Sequence, residues 1–215
     1  MYVGRIVAIG ADASGRPCAL YRVSSRSFPN RRAVLLDDAV AIIPKVGHEN
    51  DIHRNPYIAY NCLKLVGRYA VVTNGSHTDP IACKLGDGVS MRDAMVQVLH
   101  GMDFEHDQLD TPRIAGIVDR ETGTGCLGIV TRDSVLVRGL TLETGRAQYV
   151  ATYEHTVPGA HPAEGFDVAD AQDACTCIMG RGAFADLERP IAAACAVGLA
   201  DGSYQTAIDN GPNGE

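Results

Sequence analysis

Ile6-Val7-Ala8-Ile9 near the start of the chain and Ala192-Ala193-Ala194-Cys195-Ala196-Val197 near its end carry no charged or strongly polar side chain on either face. Side chains of a strand point alternately to the two faces of its sheet, so a strand that is apolar on both needs cover on both. A sheet with one wet side cannot provide it. The two runs therefore predict sheets packed on each other and on helices, in an α+β chain of antiparallel hairpins.

Outward from the first run, residues 1–9 predict a strand closed by Gly10, Asp12, Ser14 and Gly15, with 18–26 returning as its hairpin partner. A short strand is expected at 40–44. Residues 62–66 and 69–73 pair around Gly67-Arg68. The clearest helix starts at Ser90, with Asp93 at the capping-box position and Ala94, Met95, Val98, Leu99 and Met102 in one apolar stripe. Strands follow at 114–118, 126–131, 135–140 and 149–153, then a helix at 167–179. A last hairpin, 191–199 with 203–208, turns at Asp201-Gly202. Residues 47–61 and 155–165 are expected as loops, and 210–215 as a frayed end. Neither a repeat nor a linker divides the sequence, so 1–215 is expected to form a single domain.

Hydrophobic residues at 46% and charged residues at 21% are those of an ordinary globular protein. A formal charge of -7 argues against a nucleic-acid-binding domain, which carries a basic footprint. The longest apolar run, 191–200, is too short to span a bilayer, and the first residues lack the layout of a secretion signal. A cytoplasmic enzyme is the expectation. Seven cysteines without a C-x-x-C pair exclude a zinc ribbon and read as small buried hydrophobes in a reducing compartment.

Two motif matches fail on context, and a nucleophile motif is missing. Gly123-Thr124-Gly125-Cys126-Leu127-Gly128 fits G-x-G-x-x-G but precedes a strand instead of opening a helix, so it reads as a hairpin turn. His48-Glu49 and His53 are spaced five apart, not four, in a stretch broken by Asn55-Pro56, so they do not form a zinc helix. Tyr2 follows Met1, leaving no Cys, Ser or Thr as a terminal nucleophile, and no G-x-S-x-G elbow occurs. No metal site is expected.

The chain's most unusual composition lies at 21–32, where Arg22, Arg26, Arg31 and Arg32 crowd together with Ser24, Ser25 and Ser27. Strand alternation would put Arg22, Ser24 and Arg26 on one face, and guanidinium groups that close repel unless an anion lies between them. The cluster fits a phosphate or carboxylate cradle and a solvated basic hairpin equally well. Further polar clusters lie at 55–61, 74–79, 103–110 and 153–155. Asn74-Gly75 is by itself a turn signal. The acidic run 103–110 follows a helix, where the macrodipole disfavours carboxylates, so other groups must hold it. Arginines, phenols and carboxylates together are the ingredients of acid–base chemistry on a phosphorylated metabolite.

The words R-V-S-S-R-S-F-P-N-R (22–31), R-N-P-Y-I-A-Y-N-C (54–62), N-G-S-H-T-D (74–79), M-D-F-E-x-D-x-L-x-T-P-R (102–113) and T-Y-E-x-T (152–156), with the opening M-Y-x-G-R-I, resemble the archaeal-type IMP cyclohydrolase family. The likeness is close over about residues 1–156 and loose over the last quarter. It implies a four-layer αββα sandwich of the amino-terminal-nucleophile (Ntn) hydrolase type, used without that nucleophile. It also implies dehydrative closure of formylaminoimidazole carboxamide ribotide (FAICAR) to inosine monophosphate (IMP), with no cofactor, in homo-oligomers. By the same resemblance Arg31, Tyr60, Glu105 and Tyr153 form the catalytic set. Arg22, Ser24 and Arg26 would take the phosphate, Asn30 would contribute to substrate binding, and Asn61, Asn74, Ser76 and His77 would surround base and ribose. Phe104 departs from the family word, where a tyrosine is expected, and His155 falls at a variable position. An Ntn-type amidohydrolase and a non-catalytic phosphometabolite-binding protein are the alternatives.

Overall fold

The computed structural model describes residues 1–212. The first half of the chain runs β1 (Ile6–Ala11), β2 (Pro17–Ser24), β3 (Arg31–Leu35), β4 (Ala39–Pro44), α1 (Asp51–Arg54), β5 (Tyr60–Val66), β6 (Tyr69–Thr73), α2 (Thr78–Gly86) and α3 (Met91–Met102). The second half adds β7 (Arg113–Asp119), β8 (Thr124–Val130), β9 (Val135–Thr141), β10 (Arg146–Ala151), β11 (His161–Glu164), α4 (Ala171–Gly180), β12 (Pro190–Gly198) and β13 (Tyr204–Asp209). Two sheets result, one of six strands in the order β11-β10-β1-β2-β12-β13 and one of seven in the order β3-β4-β5-β6-β7-β8-β9. Neighbouring strands in both are antiparallel.

The doubly apolar strands sit where their composition requires. On β1, Ile6 and Ala8 face the core under α4, while Val7 and Ile9 face the opposite sheet. On β12, Ala193, Cys195 and Val197 take the α4 side and Ala192, Ala194 and Ala196 the inter-sheet side. A third core lies beneath α2 and α3, where Ile81, Leu85, Met95 and Leu99 pack on Val71, Ile117 and Cys126 of the seven-stranded sheet. The layers are thus helix, sheet, sheet, helix, as expected. Of the stripe on α3, Ala94, Met95, Val98 and Leu99 are buried and Met102 partly so, and Ser90 Oγ accepts from Asp93 N at 3.2 Å.

Several expectations need correction. The basic stretch is not a hairpin of its own. It leaves β2 at Ser24 and crosses to β3 in the other sheet, so the alternation that would align Arg26 with Arg22 stops two residues early. Asn74-Gly75 leads into α2, whose Pro80 lies in the first turn, where a missing N–H costs nothing. Strand β11 forms inside the stretch read as a Pro/Gly loop, β10 spans Arg146–Ala151 instead of 149–153, and α4 starts at Ala171 behind the Asp170 cap. Cys83 is exposed, unlike the other six cysteines. Asn210 is anchored, its Oδ1 accepting from Ala33 N at 2.6 Å and its amide donating to Ala33 O at 3.2 Å. The remainder of the predicted frayed end, residues 213–215, lies outside the described residues. Thr124–Val130 is a strand, so the glycine run is a hairpin element. Among the described residues no helix is long and apolar enough to cross a membrane.

Candidate active site

Four connections meet at one end of the sandwich: 25–30 between the sheets, 55–59 ahead of β5, 103–112 between α3 and β7, and 152–154 after β10. They enclose a cavity of about 300 Å³ lined by Tyr2, Arg5, Ser25, Arg26, Ser27, Phe28, Arg31, Asn55, Tyr57, Ile58, Glu105, Asp107, Leu109, Thr111 and Tyr153. A second cavity of about 560 Å³ shares Ser27, Phe28, Asn55, Tyr57, Asp107 and Leu109 with it. Together they fall within the range usual for small-molecule sites, roughly 300–1,000 Å³.

Glu105 is the most constrained carboxylate here. Helix α3 ends at Asp103, whose φ of 57° turns the chain sharply, and Glu105 N donates to Thr111 O at 2.8 Å. The Glu105 side chain is 1% exposed, and Arg5 donates to its Oε2 at 2.7 Å. Its Oε1 has no hydrogen-bond partner, and Arg113 Nη1 stands 4.0 Å away. Burial pushes this carboxyl above the usual range, opposed first by Arg5 and then by Arg113. Burial also works against the Arg5 charge, but Glu105 offsets that, and the Arg5 pKa is raised. The carboxylate that the helix end would repel is thus held by an arginine from the amino terminus.

Gly75 makes room for this arrangement. A Cβ there would lie 2.7 Å from Arg113 Nη1 and 3.4 Å from Glu105 Oε1, so the Asn-Gly pair has a packing role besides its turn. Gly4, at φ 72°, does the same for Tyr153, whose Cδ2 would be 2.7 Å from an added Cβ.

The loop bearing Glu105 is organised by Asp107. Its Oδ1 accepts from Leu109 N and Thr111 N, both at 3.0 Å, and its Oδ2 from Thr111 Oγ1 at 2.8 Å. Thr111 has one hydroxyl proton and gives it to Asp107. In its 3.1 Å contact with Tyr153 the phenol is therefore the donor. Burial raises the Tyr153 pKa, so the phenol keeps its proton at neutral pH. The Tyr60 hydroxyl contacts the Tyr21 hydroxyl at 2.6 Å. Its pKa is raised by burial, against the pull of Arg31 and Arg5. Arg31 is buried and donates to Phe28 O at 3.1 Å. Arg26 covers the Tyr2 ring at 4.2 Å and lies 3.6 Å from Glu188 Oε2.

Arg26, Arg31, Glu105 and Tyr153 share the cavity wall; Tyr60 does not line it, although Arg31 and Arg5 of that wall act electrostatically on its phenol. The other candidates lie elsewhere. Arg22 and Ser24 face α4: Arg22 donates to Ser24 Oγ at 3.1 Å, Ile178 O at 3.1 Å and Leu187 O at 3.0 Å. Ile178 lies in the last turn of α4, where carbonyls carry negative character, and with the other acceptors it satisfies this cation without a ligand. Asn30 contacts His48 Nδ1 at 3.1 Å and Asn61 donates to Asp79 at 3.0 and 3.1 Å. Asn74 is buried, donating to Pro112 O at 2.9 Å and accepting from Ile114 N at 2.7 Å. Ser76 is exposed and does not line the cavity. His77 is buried and donates through Nε2 to Ile114 O at 2.9 Å. Burial, then Arg113, pushes its pKa down to about 3.

Sequence reasoning did not assign Tyr2, Arg5, Asn55, Tyr57, Asp107, Thr111 or Arg113, although all seven lie inside the distinctive words quoted above. Among the described residues no group of three His, Cys, Asp or Glu side chains is placed to hold a metal ion.

A family model described as IMP cyclohydrolase-like protein matches residues 2–202. The IMP cyclohydrolase of Methanosphaera stadtmanae is 43% identical over 196 residues, covering 91% of this chain and 94% of that protein. That of Methanocella arvoryzae is 44% identical over 213 residues, covering 99% and 100%. That of Halobacterium salinarum is 43% identical over 215 residues, also covering 99% and 100%. The match extends through the last quarter, where the motif words are sparse, and the chain belongs to the IMP cyclohydrolase-like family.

Proposed function

We propose that the chain is an IMP cyclohydrolase, closing the second purine ring of FAICAR with loss of water. The observation that carries this reading is Glu105: a buried carboxylate with one oxygen unclaimed, on the wall of a cavity also lined by three arginines and the Tyr153 phenol. Arg26, with the Ser25 and Ser27 hydroxyls, suits the phosphate at the cavity mouth, and Arg31 the oxyanion deeper in.

The carboxamide nitrogen is a poor nucleophile until it loses a proton. The Glu105 carboxylate takes that proton, and its raised pKa brings it closer to the operating pH than an ordinary carboxylate. The nitrogen adds to the formyl carbon, Arg31 stabilises the oxyanion, and the oxygen is protonated. A second proton, from Tyr60 or from a Tyr153 hydroxyl turned away from Thr111, lets it leave as water, while the formylamino nitrogen gives up its own proton to restore the phenol. Both reacting groups sit on one imidazole, so holding them in the reactive rotamer contributes up to about 7–11 kcal/mol. General acid–base help adds roughly 10²–10⁴-fold. A place in purine synthesis, a cytoplasmic location and association into homo-oligomers belong to the same reading and draw on the family membership.

An ultraviolet assay of purified protein with FAICAR, in chelator-treated buffer, tests the reading. Growth of the purine chromophore is expected. Saturable binding of IMP without turnover would instead favour a phosphometabolite-binding protein.

A further inference from the structure

Tyr21 projects from β2 and Tyr60 from β5, so their contact joins the two sheets. The hydroxyl oxygens are 2.6 Å apart and the rings meet edge-on, with centroids 6.4 Å apart and planes at 76°. Tyr21 has no accessible surface, whereas Tyr60 keeps 8% of its own. Arg5 and Arg31, both on the cavity wall, act electrostatically on both phenols. Nothing in the ring-closing reading uses Tyr21, yet its polar end is aimed at a residue assigned to catalysis.

A phenol has one proton. If Tyr60 presents its proton to the cavity, the proton within the 2.6 Å contact must come from Tyr21. The opposite orientation would bury the Tyr60 proton against Tyr21 and leave Tyr60 unable to donate. We propose that Tyr21 is a positioning residue for ring closure: its O–H donates to the Tyr60 oxygen, directs the Tyr60 proton into the cavity and holds the phenolate formed when that proton leaves. This rests on the ring-closing reading, with Tyr60 as the acid. The protons balance. The departing oxygen carries one proton from the carboxamide nitrogen, passed through Glu105, and one from Tyr60. The Tyr60 phenolate regains a proton from the formylamino nitrogen as the second C–N bond becomes double.

The test compares wild type, Tyr21→Phe, Tyr60→Phe and the double variant, assayed with FAICAR across pH and melted in parallel. Tyr→Phe keeps the ring and its packing, and circular dichroism checks each fold. Tyr21→Phe is expected to lower kcat by about 10-fold or more with KM within about two-fold, because Tyr21 cannot touch substrate. The double variant should match Tyr60→Phe instead of multiplying the two losses. Loss of the Tyr21 donor also makes the Tyr60 phenolate harder to form, so the basic limb of the kcat profile moves to higher pH. Both single variants remove the same hydrogen bond, and a Tyr21→Phe that shares the Tyr60→Phe drop in Tm but keeps wild-type kcat would overturn the proposal. Independent, multiplying losses would overturn it too. A wild type that binds IMP but never turns over would reject the ring-closing reading itself, and this inference with it.

Discussion

Arg5 reaches across 100 positions of sequence to meet Glu105 Oε2 at 2.7 Å, inside a cavity wall where the carboxylate is almost fully enclosed. Breaking one side of such a buried pair leaves the other charge uncompensated, typically at about 3–5 kcal/mol. Arg5→Met should therefore destabilise strongly. The loss should also depend on pH. Without Arg5 the folded-state pKa of Glu105 rises further above its unfolded value, so the stability it contributes is full below the unfolded pKa and falls as pH rises through the folded one. Thermal melts of the variant should show a larger deficit at pH 8 than at pH 5.

Glu105→Gln should lower the ring-closure rate by roughly 10²–10⁴-fold. If the carboxylate is the base, wild-type kcat/KM falls as pH drops through a pKa above the ordinary range of about 4.3, in keeping with the upward push of burial. The Gln variant should lose that acid limb. A pH profile of both proteins checks it, and a rate within a few-fold of wild type would remove Glu105 from the mechanism.

His77 should register in stability instead of turnover. It stays neutral in the folded protein down to about pH 3 and protonates near its ordinary value of 6.5 when unfolded. Between those values the unfolded state binds the extra proton, so stability falls as pH drops from 6.5 toward 3, by on the order of 5 kcal/mol at most. His77→Gln keeps a donor for Ile114 O without a titrating ring. Urea denaturation at pH 7 and pH 5 should show the wild type losing more than the variant.

Arg22 and Arg26 should part company. Arg22→Met strands the Ile178 and Leu187 carbonyls, at about 1–3 kcal/mol each, and should lower Tm while leaving KM for FAICAR unchanged. Arg26→Ala, at the cavity mouth, should raise KM by about 5- to 50-fold, as expected for a lost charge-assisted contact, with little change in Tm. Parallel melting and initial-rate measurements separate the two.

The layered fold was legible because strands apolar on both faces admit few other solutions. The helix at Ser90 was legible through its cap and stripe. Strand β3 and helix α2 were not, since an Arg-Arg start and an Asn-Gly turn carry local signals that tertiary packing overrides. Alternation correctly placed Arg22 with Ser24 and opposite Tyr21, but no pattern in the sequence says which face meets α4 and which the other sheet. Arg26 reaches the cavity only because β2 has already ended. Arg5 escaped assignment for a different reason: a lone arginine before a strand has no meaning until Glu105 arrives from another loop.

Strand β12 lies between β2 and the edge strand β13, although it is made from residues 190–198. During synthesis β2 therefore waits, with one hydrogen-bonding edge open, until residues 190–198 have left the ribosome. Pairing over such a span is slow and exposes the waiting edge to other chains. A truncation before β12 would leave a sticky half-sheet instead of a smaller enzyme, and premature termination in this gene would yield aggregates, not a reduced activity.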